Sequence, residues 1–382
     1  LANGTSRQHD LQMKTQRLIS LDVFRGLTVA FMILVNNPGS WGHIYAPLRH
    51  AEWHGWTPTD LVFPFFLFAV GVAISLSFAK CREVGMPTQA LVRKIAVRSI
   101  VIFGLGLILN AFPYQDLTNV RIWGVLQRIA VSYLVAGLTV ALVARTAGRV
   151  VVLIGLLLAY EFLMRWPLVS EWGNGSFAIA DNFARWVDLQ WPGPSRLTFE
   201  GFLPFEPEGL VPSLSAAVVC LFGFFAGEGL RKTEALENRL VKLVALGAAL
   251  AVLGLLLSSI EPINKKLWTS SYTFLMSGLA ALVLAGCAWL MDARGWVKGF
   301  KPFVAFGSNA LLAFVGTGFA ARVIVLVKWP DSSLSVKSMI YHNGLVPRFG
   351  ELNGSLVFAL GTVLIWWFLL WLLHKRQIFI KI

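Results

Sequence analysis

Apolar residues in this chain come in long runs, not in the alternation of strands or the one-sided period of surface helices. A run of about 20 such residues crosses a bilayer as a helix. Windows of that kind lie near 18–37, 59–79, 91–112, 122–144, 149–166, 212–231, 239–259, 270–291, 302–327 and 354–374. The pattern predicts an all-α polytopic membrane protein with about ten transmembrane helices. The most informative interruption is the first, residues 38–58, where His43, His50, His54, Arg49, Glu52 and several tryptophans lie between two spans. Asp22, Arg25, Asn36 and Asp60 stand at or inside the ends of those spans. A polar group there is costly and usually functional.

The loops alternate in charge. One set is short and basic: Lys14 and Arg17, Lys80 to Lys94, Arg145 and Arg149, Arg231 to Lys242, Arg294 to Lys301, and Lys375 to Lys381. The other is longer and mixed, with Glu171, Asp181, Asp188, Glu200, Glu206 and Glu208 in its largest member. The positive-inside rule then puts both termini in the cytoplasm and the 38–58 segment outside. It also gives one long periplasmic loop, 167–211. A loop of that length is usually a functional cover. Its tryptophans can sit at the headgroup level or stack on sugar rings over a site.

Composition narrows the class. Of 382 residues, 56% are hydrophobic and 14% charged, with a mean hydropathy of +0.67. That excludes a soluble globular protein. The net charge of +13 sits in short loops between spans, so nucleic acid is not the expected partner. Cys81, Cys220 and Cys287 lack metal-ligand spacing, and neither a disulfide nor a metal is expected. Residues 1–12 read as a remnant ahead of a native start at Met13, leaving 13–382 as a single transmembrane domain. No cleavable signal peptide, internal repeat or pair of broken helices is visible.

Among the polar groups, His50 is the best candidate base, since imidazole exchanges protons near neutrality. Asn36 reads either as a helix C-cap before Pro38 and Gly39 or as an amide donor to a developing oxyanion. Asp60 fits helix-start chemistry, or an orienting hydrogen bond to the histidine. Asp22 and Arg25, three apart on one face, form a local ion pair or anchor a phosphate-bearing cofactor. Ser308 and Asn309 make a polar notch on the same side, or simply allow close packing. Arg121 and Arg128 share a helix face; Arg128, beside Gln127, needs an acidic partner or a wet cavity, and Glu208 is the candidate partner. Trp53, Arg121, Gln127, Arg128, Glu208 and Trp268 are the candidate substrate contacts. These groups fit a transmembrane group-transfer enzyme and also a transporter.

Seven motifs carry a resemblance. They are LDVFRG (21–26), VNNPG (35–39), HAEWHGWTPTDLVFPFFLFAVG (50–71), VRIWGVLQR (120–128), PEGL (207–210), INKKLW (263–268) with Ser271-Tyr272, and KRQIFIKI (375–382). Spread from Arg17 to the end, they resemble the heparan-α-glucosaminide N-acetyltransferase family. The resemblance implies transfer of the acetyl group of acetyl-CoA to the amino group of a terminal glucosamine. In the lysosomal member the cofactor comes from the cytosol and the sugar lies in the lumen. It also implies a catalytic role for His50, with Asn36 at the same centre.

Three departures stand out: no luminal domain or extra first helix, EPEGL in place of DPEGL, and His54 in place of Asn. They shift the expectation to a bacterial inner-membrane, multi-pass enzyme acting on glucosamine or a small amino sugar. Acetyl-CoA is then the cosubstrate, no metal is needed, membrane lipid surrounds the chain, and a homodimer is compatible. Asp22, Arg25, Ser308 and Asn309 are the expected cofactor side. His50, Asn36 and Asp60 are the expected catalytic group. An amino-sugar transporter and an O-acyltransferase of similar architecture are the alternatives.

Overall fold

The computed structural model describes residues 19–380 apart from 115, 167, 168, 170, 171, 173 and 331. The expected native start at Met13, Lys14, Arg17, Glu171 and Lys381 lie outside the described residues. The chain is mostly helical, with several helices of membrane-spanning length. Its long helices are α1 (Ile19–Asn36), α2 (Val62–Glu83), α3 (Thr88–Ala111), α4 (Val125–Leu142) and α5 (Thr146–Arg165). A short α6 (Phe183–Gln190) and the hairpin of β1 (Thr198–Glu200) and β2 (Leu203–Phe205) follow, paired Thr198 to Phe205. Then come α7 (Leu210–Leu230), α8 (Leu236–Leu257), α9 (Ser270–Ala288), α10 (Lys301–Ser308), α11 (Ala310–Leu326) and α12 (Val346–Lys375).

Among the described residues, eight helices are long and apolar enough to cross a membrane, or nine if α10 and α11 form one span. Ten were expected. The tenth window, 91–112, folds as α3, a helix of 24 residues with Arg93, Lys94 and Arg98 in its first half, and it is not among those counted. The window 302–327 is not one straight helix. It bends by 72° between α10 and α11. At the break, Asn309 uses its side chain on the C-terminal tail, donating to Ile378 O (3.1 Å) and accepting from Ile380 N (2.9 Å). A docked tail therefore fixes a bend that hydropathy cannot register.

In α7, 78% of the apolar window is buried, against 17% in α12, so α7 is central and α12 peripheral. Helix association in lipid gains little from hydrophobicity and depends on close packing. Gly71 of α2 and Gly223 of α7 meet reciprocally. A Cβ at Gly71 would lie 1.9 Å from Cys220 O, and one at Gly223 would lie 2.1 Å from Phe68 O. Likewise Gly26 faces Phe303 O at 1.8 Å and Gly307 faces Asp22 O at 1.9 Å, which brings α1 against α10. Neither pair admits a side chain.

The Gly71→Leu and Gly223→Leu variants should therefore each lose about 1–3 kcal/mol or more of stability through overpacking. Gly155→Leu, placed in open space on α5, should not. Thermal melting in detergent tests this; equal melting of Gly71→Leu and Gly155→Leu would refute the contact.

Candidate active site

The floor of the site is the end of α1. That helix stops ahead of Pro38, which cannot continue the donor ladder. Buried Asn37 turns its amide back to Ile33 O at 2.8 Å, satisfying one of the last helix carbonyls. Asn36 is left exposed, with no hydrogen bond among the described residues, opening into the adjoining cavities.

The wall is the entry to α2. A single turn, Pro58–Leu61, precedes it, with Thr57 and Asp60 forming a capping box. Asp60 is 1% exposed. Its Oδ2 accepts from Thr57 N (3.0 Å), Ala51 N (3.1 Å) and Thr57 Oγ1 (3.2 Å). Oδ1 faces His50 Nδ1 at 2.7 Å. With Nδ1–H donating to this carboxylate, the lone pair of His50 lies on Nε2. Tyr272 fixes the same residue from below by donating its hydroxyl to Asp60 O at 2.6 Å.

Lys265 completes the group. Its Nζ lies 3.0 Å from His50 Nδ1, 3.4 Å from Nε2 and 3.4 Å from Asp60 Oδ1. Burial pushes its ammonium below the usual lysine value, against the pull of Asp60 and Glu208. His50, Asn36, Glu208 and Lys265 line one cavity of about 120 Å³. Beside it, burial lowers the pKa of His54.

Around this centre the expected substrate contacts divide. Arg121 grips two carboxylates: Nε and Nη2 donate to Glu206 at 2.9 and 2.5 Å, and Nη2 to Glu208 at 2.6 Å. Burial raises the Glu206 carboxyl even so, whereas for Glu208 the nearby Arg121, Arg128 and Lys265 outweigh burial and hold it low. The expected ion pair of Arg128 with Glu208 is thus replaced. Arg128 is fully buried, donates to Gly209 O at 3.3 Å and lies over the Trp268 ring at 5.0 Å. Arg121 lies in coil ahead of α4, so contrary to expectation it does not share a helix face with Arg128, and from there it takes the carboxylates.

Trp268 is itself fully buried and packs edge-on against Phe63 and Tyr272, beneath the cavity rather than in it. Gln127 is 1% exposed and leaves its Nε2 unpartnered in a neighbouring cavity. Trp53 spends its Nε1–H on Phe177 O at 2.9 Å, which ties the histidine segment to the long connection before α7. Lys266 reinforces that tie, donating to Glu52 O at 2.6 Å and pairing with Glu200 at 2.5 Å.

The expected cofactor residues gather at the opposite end of α1. Asp22 pairs with Arg25, whose Nε is buried without a partner among the described residues. Ser308 bonds Ala305 O (2.8 Å) and faces His374 Nδ1 (3.3 Å), and Asn309 holds the tail. Of the four, Arg25 retains a free donor. Lys265, Glu206 and Asp188 are the site-region residues that sequence reasoning did not assign. For Lys265 a signal existed, because a lysine pair in a loop on the mixed-charge side breaks the orientation rule.

The profile of a family described as "Heparan-alpha-glucosaminide N-acetyltransferase, catalytic" matches residues 17–257. The human heparan-alpha-glucosaminide N-acetyltransferase is 28% identical, with 78% of this chain and 52% of that protein covered. The mouse protein of the same name is 27% identical, with 78% and 53% covered. The chain spans about half the length of the curated relatives it matches.

Asp188 supplies a pH test. It accepts from Leu210 N at 3.3 Å, its Oδ2 has no partner, and burial pushes its pKa up to about 8. Folding then takes up a proton between the ordinary carboxylate value and about 8, so stability should fall as pH rises through that window. Asp188→Asn, the neutral isostere, should flatten melting temperature against pH between about 5 and 8. An unchanged slope would mean the carboxyl is ionised in the fold.

Proposed function

The chain belongs to the heparan-alpha-glucosaminide N-acetyltransferase catalytic family, and on that premise we propose that it acetylates an amino sugar from acetyl-CoA across a membrane, with His50 as general base. The acceptor is glucosamine or a glucosamine-terminated sugar on the periplasmic side of a bacterial inner membrane. The termini and the Asp22 end of α1 face the cytoplasm. One observation carries the reading: the buried Asp60 carboxylate leaves Nε2 of His50 with its lone pair, in the same cavity as a free amide, Asn36.

The chemistry follows from these groups. A thioester carbonyl is attacked only by a neutral amine. His50 Nε2 takes a proton from the sugar nitrogen, and the second proton lost goes to solvent. Asp60 stabilises the imidazolium that forms, as a buried orienting carboxylate does. Asn36 donates its amide to the tetrahedral oxyanion. As the carbon–sulfur bond breaks, His50 returns its proton to the leaving thiolate. Direct transfer is favoured over an acetyl-histidine relay, because two reactants held together need no covalent carrier.

Several groups suit the donor substrate. Arg25, with its unpartnered Nε, suits a phosphate near the start of α1. An apolar cavity of about 430 Å³ along α1, walled by Phe24, Leu27, Phe31 and Leu34, suits a slender pantetheine arm. A transporter reading would draw on the bend at Asn309, but the side chain at that bend is occupied by the protein's own tail.

Thiol release from acetyl-CoA plus glucosamine by purified protein in detergent is the test. His50→Ala should lower kcat by about 10²–10⁴-fold, and Asn36→Ala by about 10²-fold. Acetyl label retained on the protein without amine would replace direct transfer by the acetyl-histidine route. No release with any amino sugar would sink the enzyme reading.

A further inference from the structure

The cavity that holds His50 does not end at Asn36. Asn36 also lines a second cavity of about 220 Å³, with Asn110, Arg121, Gln127, Thr317 and Arg322. It lines a third, of about 430 Å³, together with Asn37, Arg322 and Lys337. The three share walls and form one groove. Its two ends differ in charge balance. Glu208 and Lys265 both line the His50 end, whereas among the described residues only cations and no carboxylate line the second and third cavities.

Arg322 is the anomaly. It projects from α11, within the apolar bent pair, and is only half-buried. Among the described residues its one hydrogen bond runs from Nη1 to Gly318 O of its own helix at 3.0 Å. No carboxylate among the described residues pairs with it, and the charged neighbour in the same cavity is another guanidinium, Arg121, already committed to Glu206 and Glu208. An arginine without an acidic partner on an apolar helix is expensive and is a functional-site candidate. Further donors there lack acceptors: the buried Gln127 Nε2 and the amide of Asn36. Lys337 adds a second cation, half-buried, with Nζ 5.8 Å over the Phe358 ring. The groove is a set of donors and charges short of one anion.

We propose that the Arg322–Lys337 end of this groove binds a phosphate ester carried by the acceptor, so that the preferred acceptor is a phosphorylated amino sugar rather than a neutral one. This rests on the acetyltransferase reading above. The amine would lie beside His50 and Glu208, and the phosphate beyond Asn36. A phosphate rather than a carboxylate matches two cations and the free amides, because a monoester carries nearly two charges and three acceptor oxygens. The third cavity is bordered by exposed Val325 and Leu326, an apolar edge suited to a lipid-linked phosphate as well as to a free sugar phosphate.

The test compares kcat/KM for glucosamine, glucosamine 1-phosphate, glucosamine 6-phosphate and a lipid-linked glucosaminyl phosphate in mixed micelles. At least one phosphorylated acceptor should exceed glucosamine by about tenfold or more, the value of a charge-assisted contact. In Arg322→Gln that ratio should fall towards one. Lys337→Gln, on a different helical segment from Arg322, should reduce it too and covers the case in which the arginine variant does not fold. A larger ratio for the lipid-linked acceptor than for the soluble ones would identify the bilayer as the source. Turnover of all acceptors at equal kcat/KM, or a ratio kept by both variants, would overturn the phosphate subsite while leaving the acetyltransferase intact. No turnover of any amino sugar would instead overturn the acetyltransferase reading.

Discussion

Asp60 is the constraint on which the site depends. A carboxylate this deeply buried survives as an ion only if every lone pair is used. Two backbone amides and the Thr57 hydroxyl hold Oδ2, so the loop 51–57 must fold back over the entry to α2. Oδ1 is thereby left for His50 and Lys265. The same residue's carbonyl holds Tyr272, which stands on α9. One side chain and its backbone thus join the histidine segment, α2 and the loop before α9. The imidazole is oriented as a by-product of keeping a buried charge satisfied.

A second network does the same for the long connection before α7. Arg121 draws Glu206 and Glu208 to the start of α4, and Arg128 takes Gly209 O from deeper in the bundle. Removing one partner of such a group leaves a buried charge unpaired, which costs more than the pair contributes net. Lys266 with Glu200, and Trp53 with Phe177 and Phe205, fix the connection's other face to the histidine segment. The connection is therefore built into the site rather than draped over it.

Much of this was legible in the chain. Apolar runs locate the helices because lipid demands about 20 consecutive apolar residues and nothing subtler. His50, Asp60 and Asn36 stood out because polar groups at span ends are rare. The partners were harder to read. That Arg128 takes Gly209 O while Arg121 takes the carboxylates depends on the path of Pro207-Glu208-Gly209, which no spacing rule encodes. The bend at Asn309 depends on a tail about 70 residues further on. Trp268 was an expected substrate contact, yet its ring lies under Arg128 in the core. Lys265 was visible only within the INKKLW motif and as a charge in a loop expected to be of mixed sign.

The two ends of α1 give the architecture its logic. Asp22 and Asn36 are separated by about 21 Å of helix at 1.5 Å per residue, which is most of the hydrocarbon thickness. A transporter would have to move such an element to expose one end and then the other. Here α1 is pinned to α10 by two glycine contacts that leave no room for a methyl group, at Gly26 and at Gly307. Contacts that tight tolerate little sliding, because packed interiors transmit strain rather than absorb it. A rod with a polar group at each end and an apolar cavity along its side suits the proposed reaction, in which a long donor reaches across. Group transfer needs only that reach; alternating access needs the rod to rock.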